Sequence, residues 1–246
     1  MTTEIQKLEA YFDITIPKLS EYVHNKLGYC EENGKIIGLS LGGIGRYKGR
    51  KISETLITIG SIVDLTSLQS LSIYGNYLTD LSWLENCLSL KTLYAGTNKI
   101  TNISWVKNLS QLEVLHLNSN LIKDISDLEP LENLRILNLE KNRIEVISGL
   151  QNSKQLQKLF LFKNRIAKIT CLESLWKLKK LNLSSNSLTS IEGLGGLSEL
   201  RELDIHQNHI SKIEGLENLI NLQDLYITNN KITKIVNIIY YSSSSI

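Results

Sequence analysis

The segment with the most obvious potential for ligand chemistry combines glycines with basic residues and runs from Gly42 to Lys51, GGIGRYKGRK. Backbone N–H groups in a glycine-rich turn can cradle a phosphate, and Arg and Lys would add positive charge. No Lys-Ser or Lys-Thr pair follows, as it does in nucleotide-binding loops. The segment predicts a surface loop, or alternatively a contact with phosphate, a lipid headgroup or nucleic acid.

The other residues that commonly carry chemistry are scattered along the chain. The four histidines lack the spacing of a metal site, and they are His24, His116, His206 and His209. Motifs of serine hydrolases, zinc proteases and protein kinases are absent. We therefore predict a protein that is not an enzyme and that binds no cofactor and no metal.

The net charge and the cysteine content limit the class of partner and the cellular compartment. A formal net charge of +2 argues against a dedicated nucleic-acid binder, which usually has a clearly basic face. The three cysteines form no CxxC pair, which fits a reducing compartment. The first ten residues, MTTEIQKLEA, contain no apolar stretch typical of a secretory signal. These features predict a cytoplasmic protein.

A sequence repeat determines the secondary-structure elements that would position any functional site. Leu and Ile, 43 and 31 residues, fill about 30% of the chain. From Leu68 onward the sequence repeats every 22 residues, eight times, and seven positions of each repeat are apolar with Ser153 as the exception. The ninth position is always asparagine, in the order Asn76, Asn98, Asn120, Asn142, Asn164, Asn186, Asn208 and Asn230. A fixed period of this length indicates a solenoid.

The spacing within each repeat predicts its local structure. The fourth and sixth positions, such as Leu159 and Leu161, alternate as in a β-strand. The eleventh, fourteenth, seventeenth and twentieth positions are three residues apart, which suits a 3₁₀ turn or an extended arc better than an α-helix. We expect the asparagine amides to satisfy backbone groups at the bend, because an amide both donates and accepts hydrogen bonds.

The pattern LxxLxLxxNxIxxIxxLxxLxx resembles the short leucine-rich repeat. Within that superfamily it is most similar to the leucine-rich regulatory subunits of protein phosphatase 1, in segments such as Leu156–Ile166 and Ile213–Leu219. The resemblance implies an α/β solenoid, a curved right-handed coil with a parallel β-sheet on its concave face and 3₁₀ or irregular arcs on its convex face. It further implies a regulatory role and a phosphatase catalytic subunit as partner. Bacterial internalins and a spliceosomal protein share this repeat.

The remaining sequence predicts the domain boundaries. Residues 1–35 form a helical and hairpin cap, with helices at residues 3–12 and 18–26 and a hairpin turning at Asn33-Gly34. Residues 36–67 form a degenerate repeat with an insertion at 45–55, residues 68–239 form eight repeats, and 240–246 are a short polar tail. Because the phosphatase regulators end in a dedicated cap, we expect the tail to fold back, the last repeat to pair with another molecule, or the chain to be a fragment.

The third, fifth and seventh positions of each repeat alternate with buried ones, so they should line the concave face. This prediction gives a partner-binding set comprising Tyr74, Tyr94, Val114, His116, Ile136, Glu140, Phe160, Phe162, Glu202, Asp204, His206, Asp224 and Tyr226. Exposed aromatics with charged neighbours are typical of binding hot spots. The alternative is that Phe160 and Phe162 are tolerated surface residues that pack on each other.

Two functional hypotheses follow from this face. The first is a scaffold that binds a globular protein, and Glu140 followed by Phe162 one repeat later resembles the phosphatase regulators, although Ser184 and His206 do not continue that ladder. The second is a nucleic-acid-associated or ribonucleoprotein-associated module that uses the basic positions Lys141, Arg143, Lys163 and Arg165. Neither hypothesis requires a membrane or a small-molecule substrate.

Overall fold

The structure, a computed structural model, describes residues 3–44, 59 and 63–235. They fall into two compact units, drawn from residues 1–120 and residues 121–246. The predicted insertion at 45–55, which contains most of the glycine and basic segment, and the tail at 240–246 lie outside the described residues. Among the described residues, no helix has both the length and the apolar character needed to cross a membrane.

The first unit consists of a short helix, a hairpin and parallel strands. Its helix and strands among the described residues are α1 (Glu4–Phe12), β1 (Gly28–Glu32), β2 (Lys35–Ser40), β3 (Ser70–Ser72), β4 (Thr92–Tyr94) and β5 (Val114–His116). Strands β1 and β2 are antiparallel, and β2 to β5 follow one another in parallel. Asn33 and Gly34 both have positive φ, 50° and 75°, as a two-residue hairpin turn of type I′ requires.

The described part of the second unit consists of parallel strands, turns and one short 3₁₀ helix. Its described strands are β6 (Ile136–Asn138), β7 (Lys158–Phe160), β8 (Lys180–Asn182), β9 (Glu202–Asp204), β10 (Lys212–Ile213), β11 (Asp224–Tyr226) and β12 (Lys234–Ile235). Strands β6, β7, β8, β9 and β11 pair in that order, and β10 pairs with β12. The register places Leu137 beside Leu159 and Leu159 beside Leu181, so each repeat lies directly on the next.

The apolar positions of the repeat form the core of each unit. Leu159, Leu161 and their equivalents in the other described repeats are buried, except in the last repeat, where Leu225 and Ile227 are half-buried. The return arcs contain 3₁₀ helices at Ser82–Asn86, Ser104–Asn108 and Ser126–Leu128. The arcs of the last two repeats contain the paired strands β10 and β12, and the remaining described arcs are turns and bends. The predicted parallel-strand solenoid with little helix is therefore confirmed.

Ser153, the polar exception in the apolar pattern, is fully buried. Its hydroxyl donates a hydrogen bond to the carbonyl oxygen of Leu131, 3.0 Å away and 22 residues earlier. A buried hydroxyl with a partner avoids most of the cost of leaving water. The serine thus replaces an apolar contact with a bond between two repeats.

The asparagines of the ninth position close the bends. Asn98 accepts hydrogen bonds through Oδ1 from the backbone N–H groups of Asn76 and Leu78, both at 3.0 Å. Its Nδ2 donates to the carbonyl oxygens of Ile73 and Ala95. The same pattern recurs in later repeats, and each asparagine bonds to its own repeat and to the one before it. These side chains are engaged with backbone and are not free to hold a ligand.

The residue at the eighth position of each repeat, shortly after the strand that begins the repeat, is left-handed. The residues with positive φ are Gly75, Thr97 and Ser119 in the first unit and Lys141, Lys163, Ser185, Gln207 and Asn229 in the second. A single left-handed residue reverses the chain sharply and ends the strand. Most of these residues have no intrinsic preference for that conformation, so neighbouring repeats hold them in it.

The predicted helix at 18–26 is wrong, because that segment is irregular. Its backbone instead pairs with β1. Leu19 donates its N–H to the carbonyl oxygen of Tyr29 at 2.8 Å, and Tyr29 donates to the carbonyl oxygen of Pro17 at 3.0 Å. These bonds use groups that a helix would have needed for its own ladder.

Candidate functional site

The exposed face of the strands contains the whole predicted partner-binding set. The three-residue strands β3 to β9 each bury their central leucine, and Leu225 of β11 is half-buried. The residues on either side of these leucines therefore point away from the core. All thirteen predicted residues are half-buried or exposed, and Tyr74 and Tyr226 are among the exposed ones. The alternation of side chains along each strand therefore places these residues where a partner can contact them.

In the second unit, Phe160 and Phe162 lie half-buried on strand β7 and just beyond it. Phe160 is flanked along the sheet by Asn138 and Asn182. The ammonium of Lys180 lies 5.8 Å from the centre of the Phe160 ring, within the range of a cation–π contact. Lys180 also pairs with Glu202 at 2.6 Å. The two phenylalanines are thus accessible aromatics beside a charge that is already partly neutralised.

The neighbouring strands of the second unit have a polar surface whose groups bond to each other. Asp204 accepts a hydrogen bond from Asn182 Nδ2 at 3.2 Å, and its other oxygen lies 2.6 Å from His206 Nδ1. Asn182 accepts from the Ser184 hydroxyl at 2.6 Å. Ser184 was predicted to face outward, but it is fully buried because this bond holds it against the sheet. A shallow depression of about 450 Å³ lies over this network.

The network does not form a hydrolytic triad. The Ser184 hydroxyl bonds to an asparagine, whereas a serine nucleophile needs a histidine base within hydrogen-bond distance. His206 bonds to Asp204, and the serine is sealed from solvent. Among the described residues, no group of histidine, cysteine and carboxylate side chains is arranged to hold a metal ion.

In the first unit, three rings stack across the strand face. The Tyr94 ring lies 4.2 Å from His24 and 4.8 Å from His116, measured between ring centres. Tyr94 and His116 are neighbours in the register of β4 and β5. His24 comes from the irregular segment before β1, and its carbonyl oxygen accepts a hydrogen bond from the Ser40 hydroxyl at 3.1 Å. The segment thus lies over the face of the first strands.

Ser72 occupies the fifth position of its repeat and was therefore predicted to line the concave face, but this coverage leaves it fully buried. The Tyr22 phenol lies against it, and Tyr22 also fills the space above Gly38, where a Cβ atom would come within 2.8 Å of the tyrosine ring. Burial raises the pKa of Tyr22, while the Ser72 hydroxyl acts in the opposite direction. The open part of the face therefore begins beyond Tyr22.

Beside the stacked rings, the first unit has a cleft of about 430 Å³. Its walls include Tyr74, Tyr94, His24 and His116, and part of its lining is the backbone at Gly42-Gly43. Burial, and secondarily His24, lowers the pKa of His116, so its imidazole is neutral near pH 7. Burial also raises the pKa of the Tyr94 phenol.

Apart from glycines, three lining residues of this cleft were missing from the predicted set, namely His24, Asn25 and Asn118. Asn118 occupies the seventh position of its repeat, so the alternation rule already places it on this face. His24 and Asn25 lie outside the repeats, and no periodicity could assign them to it. Of the glycine and basic segment, Gly42 and Gly43 line the cleft, and the basic residues lie outside the described part of the chain.

The comparisons with known proteins agree with this architecture. Five stretches match the family profile described as Leucine Rich repeats (2 copies), namely residues 66–108, 88–130, 154–198, 176–218 and 198–240. Together they cover more than half of the chain. No individual curated protein matches it.

Three solved structures share the fold. An internalin of Listeria monocytogenes is 30% identical over 73% of this chain and 56% of its own, with a TM-score of 0.67. Internalin C2 of the same organism is 32% identical, and the match covers 69% of this chain and 75% of the internalin, with a TM-score of 0.63. The third structure is the leucine-rich ectodomain of the Arabidopsis thaliana receptor kinase GASSHO1/SCHENGEN3 in complex with Casparian strip integrity factor 2. It is 27% identical, the match covers 70% of this chain and 22% of the ectodomain, and the TM-score is 0.62.

These matches define the family but not the partner. The chain spans just over half the length of the first internalin and about a fifth of the receptor ectodomain. Proteins built from such repeats are generally scaffolds for protein interaction, and their solenoids are typically not enzymes. With its 22-residue period, its parallel strands and its asparagine-closed bends, the chain belongs to the leucine-rich repeat family.

Proposed function

We propose that this protein is a non-enzymatic, cytoplasmic scaffold that binds a globular protein through the exposed strand face. The observation that carries the proposal is the position of Phe160 and Phe162, two of the three phenylalanines, on that face rather than in the core. The core of the second unit is filled by leucine and isoleucine, so neither ring is needed for packing.

The surroundings of the two rings favour a binding role. Interface hot spots are aromatic residues in positions where a partner can exclude water from them. Lys158 lies beside Ile136 and Lys180 in the sheet, and Glu202 pairs with Lys180. Apolar surface framed by charges of both signs is suited to a complementary protein and less suited to a uniformly negative nucleic acid.

The finer proposal is that the partner is the catalytic subunit of a protein phosphatase. It is supported by the similarity of the repeats to phosphatase regulators and by acidic and aromatic residues on the same face, including Glu140, Asp204 and Tyr226. The receptor ectodomain that shares the fold was solved in complex with another factor, which supports binding by this architecture in general.

The test is affinity purification from native cytosol with the wild type and with Phe160→Ala/Phe162→Ala. We expect recovery of the specific partner to fall at least tenfold, since each hot-spot aromatic contributes about 2 kcal/mol or more. Trp176→Ala is the matched control, because Trp176 is an exposed aromatic of the same unit outside the strands. Mass spectrometry identifies the partner, and a metallophosphatase in the eluate would support the finer proposal.

Two results would contradict these proposals. Equal recovery with the double variant would remove this face as the binding site. Capture of nucleic acid that declines steeply with salt would instead favour the alternative through Lys141, Arg143, Lys163 and Arg165, which are all exposed. Arg165 lies 3.8 Å from Glu145, so part of that basic charge is already compensated.

A further inference from the structure

The cleft of the first unit has the dimensions and walls of a ring-binding site. Its volume, about 430 Å³, lies toward the lower end of the range of about 300–1,000 Å³ found for ligand sites. Tyr74 is 45% exposed on one side, and the Tyr94 and His116 rings form another. Gly42, Gly43 and Gly75 add backbone without side chains to the lining. A flat group therefore has both room and aromatic surface to pack against.

Several residues that line this cleft have side chains able to form hydrogen bonds. Within the described ranges, no hydrogen bond involves the side chains of Asn25, Asn118, His24 or His116. The polar side chains on the strand face of the second unit differ, because Asn182, Asp204 and His206 bond to each other. Asn118 also leans over Gly96, where a Cβ atom would lie 2.6 Å from its Oδ1. The cleft presents amide and imidazole groups that a ligand can use.

The charge of the cleft limits the ligand further. Its lining contains no carboxylate, no ammonium and no guanidinium among the described residues. His116 is neutral near pH 7, because burial lowers its pKa. A charged ligand would find no countercharge among these described residues, and its loss of hydration there would be costly. The matching ligand is neutral and planar, with a hydrogen-bonding edge.

From these features, which are separate from the phenylalanine surface, we infer that the cleft receives a tryptophan or tyrosine side chain of the protein partner. The inference rests on the proposed function, since it assumes a protein bound along the strand face. Both side chains combine a flat apolar body with a polar edge, and both are the usual anchors of protein interfaces. Asn25 and Asn118 would bond to that edge, while Tyr74 and Tyr94 would pack on the ring.

The test uses the full chain and small probes, so it does not depend on identifying the partner. N-acetyl-tryptophanamide, N-acetyl-tyrosinamide, N-acetyl-phenylalaninamide, N-acetyl-leucinamide and adenosine are titrated while the imidazole resonances of His24 and His116 are followed by NMR. We expect saturable shifts at millimolar concentrations with the tryptophan and tyrosine probes. Phenylalanine should bind about fivefold more weakly because it lacks the polar edge, and leucine more weakly still.

Two variants separate the roles of the ring and the amide. Tyr74→Ala should weaken all aromatic probes by about tenfold, because it removes one wall. Asn118→Leu should weaken the tryptophan probe by about fivefold and leave the phenylalanine probe unchanged. Tyr77→Asn is the matched control, since Tyr77 is exposed outside the cleft and already has positive φ, which asparagine tolerates. It should bind every probe as the wild type does.

Three results would overturn the inference. The first is the absence of saturable shifts with both the tryptophan and the tyrosine probe, and the second is unchanged binding in Tyr74→Ala. The third is tighter binding of adenosine than of any amino-acid probe, which would assign the cleft to a free heterocycle. These results are independent of the purification test, because loss of the partner in Phe160→Ala/Phe162→Ala would leave the probe titrations as they are.

Discussion

The side-chain oxygen of Asn186 accepts a hydrogen bond from the backbone N–H of Ile166 at 3.0 Å, although the two residues are twenty positions apart. The amide nitrogen of Asn186 donates to the carbonyl oxygens of Leu161 and Leu183, each at 3.0 Å. One side chain therefore closes the bend of its own repeat and that of the repeat before it.

Replacing Asn186 with leucine should destabilise the protein by about 2–4 kcal/mol, because buried backbone groups of two repeats would lose their partner. Urea unfolding measures the change. Asn152→Leu is the control, since Asn152 is exposed and the hydrogen bond that its side chain donates to the carbonyl oxygen of Glu129 is long, at 3.4 Å. It should change stability by less than about 0.5 kcal/mol. Equal losses in the two variants would contradict a special role for the ninth position.

Gly196 and Gly195 form a matched pair for testing how closely the return arcs pack. A Cβ atom on Gly196 would lie 1.9 Å from the carbonyl oxygen of Glu173, whereas one on Gly195 would meet only Asn218 at 3.5 Å. Gly196→Ala should therefore cost at least about 2 kcal/mol of unfolding free energy. Gly195→Ala should be close to neutral. Thermal unfolding of both variants checks this, and similar melting temperatures would refute the close approach.

Ser119 tests the left-handed position, where its φ is 58°. Ser119→Gly should stabilise the protein by up to about 1 kcal/mol, because relief of left-handed strain exceeds the added chain entropy. Ser119→Val should destabilise it by at least about 1 kcal/mol, since a β-branched residue resists positive φ. Denaturant midpoints measure both, and shifts of the same sign would argue against the assigned conformation.

The cysteines should differ in reactivity, because the thiolate is the reacting form. Burial raises the pKa of Cys87 to about 11, and burial also raises that of Cys30. Cys171 is only partly buried. At pH 8, iodoacetamide should therefore alkylate Cys171 first in the native protein, as peptide mass spectrometry would show. Labelling in urea is the control, where all three should react, and rapid native labelling of Cys87 would contradict its burial.

Protonation of His116 should destabilise the folded protein in mild acid. Its pKa is lowered from 6.5 by burial and then by His24, so the unfolded chain takes up the proton first as the pH falls. The contribution of neutral His116 to the free energy of unfolding is complete above pH 6.5, and it is lost as the pH falls through the pKa of the folded state. The effect should be below about 1 kcal/mol, since the ring is partly exposed.

The pH effect is measured by comparing the unfolding free energy at pH 7.5 and pH 5. His116→Phe should reduce the difference between the two values, whereas His209→Gln should not, because His209 is exposed. If both variants kept the full difference, the acid sensitivity would have to arise from other groups.

The repeat could be predicted from sequence because every relevant interaction recurs at a fixed spacing. Leu159 and its equivalents mark the core, and Asn164 marks the bend, wherever they occur. The left-handed eighth position was not foreseen, since Lys141 and Lys163 carry no preference for positive φ. That conformation is set by the bonds between adjacent repeats, which a single repeat does not reveal.

The candidate site was predictable only where it follows the repeat. Alternation predicts that Phe160 and Phe162 face away from the core, and both are half-buried on the strand face. The placing of His24 beside Tyr94 depends on a segment that folds back over residues seventy positions later, and its sequence gives no periodic signal. For the same reason Ser72 appeared exposed from its position, although Tyr22 covers it.

The backward direction of the asparagine bonds has a consequence for how such a chain can grow. Asn208 and Asn230 each complete the coil that precedes them, through Leu188 and Ile210. A tandem duplication of 22 residues therefore carries the group that its upstream neighbour requires, and no second substitution is needed to accommodate it. The array can therefore lengthen by duplication without compensating substitutions elsewhere in the chain. Each added copy also provides a new segment of strand surface.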